Sequence, residues 1–192
     1  MHRWLDRGIV LALIATCALA APQVGAAAKI EGVEFADAVK VRGVDLRLNA
    51  VGLLRYMFVI KAYVAGLYLG EGVAPSEILA DRAKRLEITY FYALSSEDFR
   101  TSTHDCIRRN VDEPTFAKLL PRIEQFNALY RDVQPNDRYA LTYLPGVGTE
   151  LALNGQSLGV IEGADFGSAV FAIWFGEEEL DAGLKKTLLA GR

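Results

Sequence analysis

The stretch that most constrains the fold of this chain is residues 54–70, which read LRYMFVIKAYVAGLYLG. Its aromatic and β-branched residues are typical of a buried strand, and the run predicts one long strand over 54–69. Two cations, Arg55 and Lys61, interrupt it and would share one face of an unbroken strand with Tyr63. A cation among apolar side chains needs an anion or several hydrogen-bond acceptors, because an unpaired charge is costly to bury.

Arg55 has two interpretations from the residues alone. Its guanidinium matches a planar carboxylate and could anchor the acidic or carbonyl head of an amphiphile in a pocket with apolar walls. Alternatively, Arg55 caps the end of a helix or pairs with a structural Asp or Glu. On a straight strand Arg55 and Tyr63 lie roughly 26 Å apart at ~3.3 Å per residue, so a shared site requires a bend or a bulge.

Alternating apolar and polar residues predict further strands on both sides of this run. Asn154-Gly155 is a strong signal for a two-residue hairpin turn, and Arg42-Gly43 marks another turn. The other predicted strand segments are 33–48, which contains that second turn, then 85–94, 138–144, 148–154 and 156–163.

Helical patterns fill the intervals between the strands. Ser95 and Asp98 resemble a capping box at the start of a helix. Pro121 predicts a kink or a new start in the helix that contains it. The predicted helices are a short one over 74–84, one over 96–109, one that opens at Asp112 or Glu113, and two apolar helices split at Gly176.

The order of these elements predicts the fold class. Strands come first, then helices, then strands, then helices, and no regular strand–helix–strand rhythm is present. This order favours an α+β fold in which a mostly antiparallel sheet carries helices on one face.

Residues 1–28 have the pattern of a secretory signal peptide. A basic start with Arg3 and Arg7 precedes an apolar run over 9–20 and then a series of small residues. The apolar run is about 12 residues long, which is too short to span a bilayer, for which ~20 are needed.

Cleavage is predicted near residues 26–28, leaving a single domain over 29–192. An N-terminal membrane anchor is one alternative. A lipid attached to Cys17 is another, although Thr16 is a poor residue before a lipidated cysteine.

Composition excludes several classes of protein. The chain carries 21 Lys and Arg against 24 Asp and Glu, a formal net charge of −3, so it has no electrostatic footprint for nucleic acid. Beyond the leader the one cysteine is Cys106, which is interpreted as a small buried residue of a helix. Arg100, Arg108 and Arg109 are interpreted as a solvated helix face paired with neighbouring acids.

Two motifs suggest a catalytic or a metal site, but neither has the structural context or the spacing that such a site requires. Residues 155–159 match the G-x-S-x-G of serine hydrolases, but a hairpin and a strand are predicted where that motif requires a strand-to-helix turn. His104 and Cys106 are two positions apart, so they do not face together on a helix and do not have zinc-site spacing. We therefore expect no metal and no cofactor.

Two segments together resemble the chalcone isomerase-like family. LNAVGLLRYMFVIKAYVAGLYLGE, residues 48–71, is similar to the family segment that runs from Gly and Arg to Lys-x-Tyr-x-x-x-Leu-Tyr-Leu. FGSAVFAIWFGEEELDAGLKKTLLAG, residues 166–191, resembles the C-terminal signature of the exported bacterial branch. The likeness covers about residues 30–191. One departure concerns Arg55, since NAVGLLR has one more residue between Asn and Arg than the family pattern.

The resemblance implies an open-faced β-sandwich, in which a layer of helices covers a large, mostly antiparallel sheet. It also allows a comparison with the catalytic groups of active chalcone isomerases. Arg55 would keep their arginine, and Tyr63 falls where their first threonine stands. Phe99 falls where they have a tyrosine. Ile173 lies near the position of their second threonine and is followed by Trp174.

This pattern keeps the arginine but lacks most catalytic hydroxyls, which favours binding over turnover. By resemblance, the protein is expected to be exported to the periplasm and to bind a lipophilic, acidic small molecule such as a fatty acid. The predicted ligand-binding residues are Arg55, Tyr63, Phe99, Ile173 and Trp174, and none is predicted to be catalytic.

Two other functions stay open at this point. The first is an intramolecular lyase or isomerase with an altered catalytic set, in which Arg55 is the electrophile and Tyr63 the acid or the holder of a water. The second is a protein-interaction module whose pocket is vestigial.

Overall fold

The computed structural model of the protein describes residues 26–57 and 59–191. Most of the predicted signal peptide lies outside these residues, and its boundary at residue 28 stays a prediction. The described part of the chain begins with β1 (Ala26–Ile30), which pairs antiparallel with β2 (Val33–Ala36). Among the described helices, none combines the length and the apolar character needed to cross a bilayer.

In the described part of the chain, seven strands form one large antiparallel sheet, and each strand pairs with its neighbours in chain order. This arrangement confirms the predicted α+β class and the mostly antiparallel sheet. The strands are β3 (Ala38–Val41), β4 (Val44–Tyr56), β5 (Ile60–Gly70), β6 (Lys84–Tyr90), β7 (Arg138–Leu144), β8 (Gly148–Leu153) and β9 (Gln156–Ile161).

The prediction of one strand over residues 54–69 is wrong, because this run forms a hairpin of β4 and β5. The turn between them contains Met57, which has a φ of +49°. Arg55 on β4 consequently lies opposite Lys61 on β5. The described turn residues include none of the Gly, Asn or Pro residues that usually mark a hairpin, so the sequence pattern did not reveal it.

The two other turns are as predicted. Arg42 and Gly43 have φ values of +49° and +84°, and Asn154 and Gly155 have values of +50° and +82°. Two successive residues with positive φ form the turn that suits the twist of a tight hairpin. Ser157 therefore lies on strand β9 beyond a hairpin turn, rather than at a strand-to-helix turn.

Four α-helices follow the predicted pattern in the described chain. The capping box is confirmed, since the Ser95 hydroxyl accepts a hydrogen bond from the Asp98 amide and the Asp98 carboxylate accepts one from the Ser95 amide. Cys106 is 2% exposed, as expected of a buried helix residue. The helices are α1 (Ser96–Asn110), α2 (Glu113–Asn127), α3 (Ala164–Phe175) and α4 (Ala182–Leu189).

Two helix predictions need correction. Of the two alternatives predicted at Pro121, the new helix start is wrong, because α2 continues through this residue, and the kink stays a prediction. The helix predicted over 74–84 is reduced to one 3-10 turn, Pro75–Glu77, and Lys84 already belongs to β6.

The two faces of the sheet have different covers. On β5, Ala65 and Leu67 pack into the main core together with residues of α1 to α4. Val64 and Tyr68, which alternate with them along the strand, pack with Phe35 of β2 in a smaller cluster on the opposite face. The helix layer over one face of the sheet is the open-faced sandwich that was expected.

Candidate ligand-binding cavity

An apolar cavity of about 290 Å³ lies between the sheet and the helix layer. Its volume is close to the lower end of the range for small-molecule sites, roughly 300–1,000 Å³. The sheet side is lined by Ala62, Tyr63, Leu86, Ile88, Tyr90 and Tyr139. The helices contribute Phe99, Ser102, Thr103, Val170, Ile173 and Trp174.

Strand register brings the sheet residues of the cavity together. Tyr63 on β5 is directly opposite Tyr90 on β6, and Ile88 on β6 is opposite Tyr139 on β7. Because alternate residues of a strand point to the same face, Ile88 and Tyr90 both face the helices. A floor of aromatic and aliphatic side chains results.

Phe99 closes the cavity from the first turn of α1. Its ring centroid lies 5.3 Å from that of Tyr90 and 5.2 Å from those of Tyr130 and Tyr139. The rings of Phe99 and Tyr130 are stacked, whereas the other two pairs meet edge to face. Such packing fixes the walls of the cavity before any ligand arrives.

Two of the tyrosine hydroxyls at the cavity have side-chain partners. The indole nitrogen of Trp174 donates a hydrogen bond of 3.1 Å to the Tyr63 hydroxyl. The hydroxyls of Thr103 and Tyr130 are 2.8 Å apart and share a hydrogen bond. The Tyr63 oxygen is thus an acceptor from Trp174, and its own hydrogen is left for another group.

The remaining two tyrosines differ from each other. The Tyr139 hydroxyl donates to the backbone carbonyl of Arg131 and accepts from its amide, both at 2.8 Å. Tyr90 is only 6% exposed and lines the cavity, yet its hydroxyl has no hydrogen-bond partner among residues 26–57 and 59–191. A buried hydroxyl in this state is an unused donor.

Burial keeps these tyrosines neutral. It raises the pKa of Tyr63, Tyr90 and Tyr130 well above the ordinary tyrosine value. The hydroxyls therefore act as hydrogen-bond donors and acceptors, and they are poor proton-transfer groups near neutral pH.

The cavity opens at Leu94 and Leu180, which line it and are 36% and 41% exposed. Asp98 is the one charged residue among the described lining residues. Hydrogen bonds from Ser95 lower the pKa of Asp98, so this carboxyl group is ionised at neutral pH. The cavity thus has apolar walls and one acid, which serves as a helix cap.

A family model described as chalcone isomerase-like matches residues 27–190. The chain belongs to the chalcone isomerase-like family. The match confirms the resemblance found in the sequence. The crystal structure of a fatty-acid binding protein from Arabidopsis thaliana has a similar fold, with a TM-score of 0.63 and 18% sequence identity over 82% of this chain and 92% of that chain. No curated protein matches the sequence.

In this chalcone isomerase-like protein, four of the five residues predicted to bind ligand line the same cavity. They come from β5, α1 and α3, which are far apart in the sequence. Their role in binding stays a prediction. The four residues are Tyr63, Phe99, Ile173 and Trp174.

The fifth residue, Arg55, is not brought to the cavity. Its side chain is 45% exposed, and a guanidinium nitrogen lies 3.9 Å from a carboxylate oxygen of Glu31. Lys61 reaches the other oxygen of the same carboxylate at 2.5 Å. The hairpin explains this placement, because it puts Arg55 beside Lys61 near the β4–β5 turn. The interpretation as an arginine paired with a structural acid fits this geometry.

Sequence reasoning missed Tyr90, Tyr130 and Tyr139 as parts of the site. In the sequence, Tyr90 alternates with polar residues in the manner of a buried strand face, and Tyr130 follows Ile123 and Phe126 at helical spacing. Neither pattern distinguishes a residue that lines a cavity from one that fills the core. That distinction requires the register of the strands and the position of the helices.

The other polar candidates lie outside the cavity lining. His104 has a side chain that is 39% exposed and packs edge to face on Phe116 at 5.1 Å. Arg108 pairs with Glu113 on the exposed surface, as expected of a solvated helix face. No group of three or more potential metal ligands occurs within the described residues.

Proposed function

We propose that this chalcone isomerase-like protein binds a lipophilic small molecule, such as a fatty acid, and does not turn it over. The observation that carries the proposal is the apolar cavity with its opening at Leu94 and Leu180. An apolar tail placed there gains about 25 cal/mol for each Å² removed from water. The similar fold of the fatty-acid binding protein from Arabidopsis supports this choice of ligand.

The proposed lack of turnover is supported by the side chains at the cavity. Phe99 and Ile173 present no hydroxyl where active relatives are expected to carry one. Thr103 and Tyr130 bond to each other, and the high pKa of Tyr130 makes it a weak acid. Few groups are left that could move a proton in a reaction.

The proposal includes export to the periplasm, which is supported by the pattern of residues 1–28. N-terminal sequencing of protein isolated from its own cells tests it. We expect the mature chain to begin near residues 26–28. A mature chain that retains Met1 would contradict export by cleavage of a leader.

Native mass spectrometry of the protein isolated from its own compartment tests ligand binding. We expect an adduct with the mass of a fatty acid or a similar lipid. Ala62→Trp places an indole in the cavity and should remove the adduct, whereas Ala38→Trp adds the same side chain at an exposed position of β3 and should keep it. An empty protein that takes up no added fatty acid would contradict the proposal.

Arg55→Ala belongs in the same experiment. Loss of the adduct would support the anchoring role suggested by the sequence. Retention of the adduct is expected from the structure, because Arg55 is partly exposed and lies beside Glu31.

An isomerase or lyase is the second candidate, and the Tyr63 hydroxyl is the observation that favours it. Because Trp174 donates to this oxygen, the hydroxyl hydrogen is free to polarise a carbonyl group. The loss of chalcone absorbance with time tests the activity. A rate equal to that of the protein-free solution would exclude chalcone as the substrate.

A further inference from the structure

Two hydroxyl groups inside the cavity, those of Tyr63 and Tyr90, are in a position to donate hydrogen bonds to a ligand. The two residues are opposite each other on β5 and β6, and their ring centroids are 5.7 Å apart. The Tyr63 oxygen already accepts from Trp174, so its hydrogen is available. Tyr90 has no partner among the described residues.

An unused donor at this depth has an energetic consequence. A hydroxyl that faces the cavity without a protein partner can bond only to water or to a ligand there. A ligand atom that accepts from Tyr90 supplies this bond, and one that also accepts from Tyr63 is held at two points. An oxygen with two lone pairs, such as a carbonyl oxygen, can accept from both donors.

The charges around this pair exclude an anionic head. Asp98 lines the cavity, and burial together with the nearby charge of Asp181 raises the pKa of Tyr63. The other titratable neighbours of Tyr90 are Tyr130 and Tyr139, and both are neutral because burial raises their pKa.

Cations on neighbouring parts of the chain are paired with other protein groups. No lysine or arginine occurs among the described residues that line it. Arg55 and Lys61 share the carboxylate of Glu31, and one guanidinium nitrogen of Arg131 donates to the backbone carbonyls of residues 128–130. A carboxylate in the cavity would be desolvated without a counter-charge, which is costly.

Building on the proposed binding function, we infer that the cavity selects amphiphiles with an uncharged head that accepts hydrogen bonds, and that Tyr63 and Tyr90 hold this head. A fatty acyl ester satisfies the requirement at any pH. A fatty acid satisfies it only in its protonated form. The chemical class of the ligand is therefore a neutral acyl compound.

Calorimetric titration of the full chain with methyl laurate and with laurate tests the inference, because the two probes share one tail. At about pH 8 an ordinary carboxyl group, with a pKa of about 4.3, is almost fully ionised, so we expect the ester to bind at least about tenfold more tightly. The difference should shrink as the pH is lowered towards 5. Laurate binding as tightly as the ester at pH 8 would overturn the inference and leave the proposed function intact. Binding of neither probe would contradict the proposed function itself.

Tyr90→Phe tests the assigned donor. It removes one neutral hydrogen bond, so we expect methyl laurate to bind roughly five- to tenfold more weakly. Tyr92→Phe is the matched control, because Tyr92 is 54% exposed and lies outside the cavity lining. This variant should bind methyl laurate as tightly as the unmodified protein does. Equal melting temperatures for the two variants show that the fold is kept. Unchanged affinity in Tyr90→Phe would contradict the assignment.

Discussion

Lys84 shows what burial does to a single charged residue in this fold. It is fully buried at the start of β6, where its Nζ donates to the carbonyl of Ala80 at 2.6 Å. The same nitrogen lies 4.7 Å and 5.2 Å from the ring centroids of Tyr143 and Phe171. These contacts replace only part of the hydration of an ammonium group. Burial therefore lowers the pKa of Lys84 to about 8, although Asp81 acts in the opposite direction.

This lowered pKa predicts a pH-dependent stability. Between pH 8 and the unfolded value of 10.5 the unfolded chain binds more protons at Lys84 than the folded chain does, so the free energy of unfolding rises with pH. We expect Lys84→Met to lack a rise of about 1.5 kcal/mol between about pH 8 and 9.5, where tyrosines with the ordinary pKa of about 10 are still mostly neutral. Urea unfolding of both proteins across this range measures the difference. Parallel curves would contradict the prediction.

At the scale of secondary-structure elements, the fully buried ring of Phe35 is a main contact between the β1–β2 hairpin and the large sheet. Phe35 on β2 is fully buried, and a Cβ atom added to Gly66 on β5 would come within 2.5 Å of its ring. The guanidinium of Arg138 lies 4.8 Å from the ring centroid. The ring is thus confined, and the close approach of the hairpin depends on glycine at position 66.

Gly66→Ala is therefore expected to destabilise the fold. The added methyl group meets a ring with little room to move, so the free energy of unfolding should fall by roughly 1–3 kcal/mol. Phe35→Ala removes the ring atoms that would clash, and the double variant should lose less stability than the sum of the two single variants. Urea unfolding of the four proteins measures this coupling. Strict additivity would show that the two residues do not meet.

At the scale of the whole molecule, periodicity in the sequence accounts for most of the sheet and helices but not for the β4–β5 hairpin. Asn154-Gly155 and Arg42-Gly43 turn where predicted because their backbone favours positive φ. The turn after Tyr56 was missed, since its described residues are apolar and match a buried strand. The hairpin also decides the surroundings of Arg55, which lies beside Glu31, while its part in ligand binding was predicted from the family resemblance and stays a prediction.

Part of the candidate site was also predictable, but from the family resemblance rather than from periodicity in the sequence. Tyr63, Phe99 and Ile173 lie on three separate elements, and only the family resemblance related them before the structure did. The unpaired hydroxyl of Tyr90 could not be predicted, because hydrogen-bond satisfaction depends on which atoms meet in three dimensions. Sequence periodicity predicts which face of a strand is buried, whereas the packing of the helices determines whether that face encloses space.

Because β5, β6, β7, α1 and α3 all contribute to the cavity, the site exists only in the folded chain. A ligand that binds there must stabilise the whole molecule. At about 100 times its Kd, methyl laurate should raise the free energy of unfolding by about 2.7 kcal/mol. Urea unfolding at ligand concentrations set by the calorimetric Kd measures this effect. We expect Ala38→Trp to keep the increase and Ala62→Trp to lose it. No increase in the unmodified protein would mean that the ester binds the unfolded chain as tightly as the native one, which would contradict a site formed only by the fold.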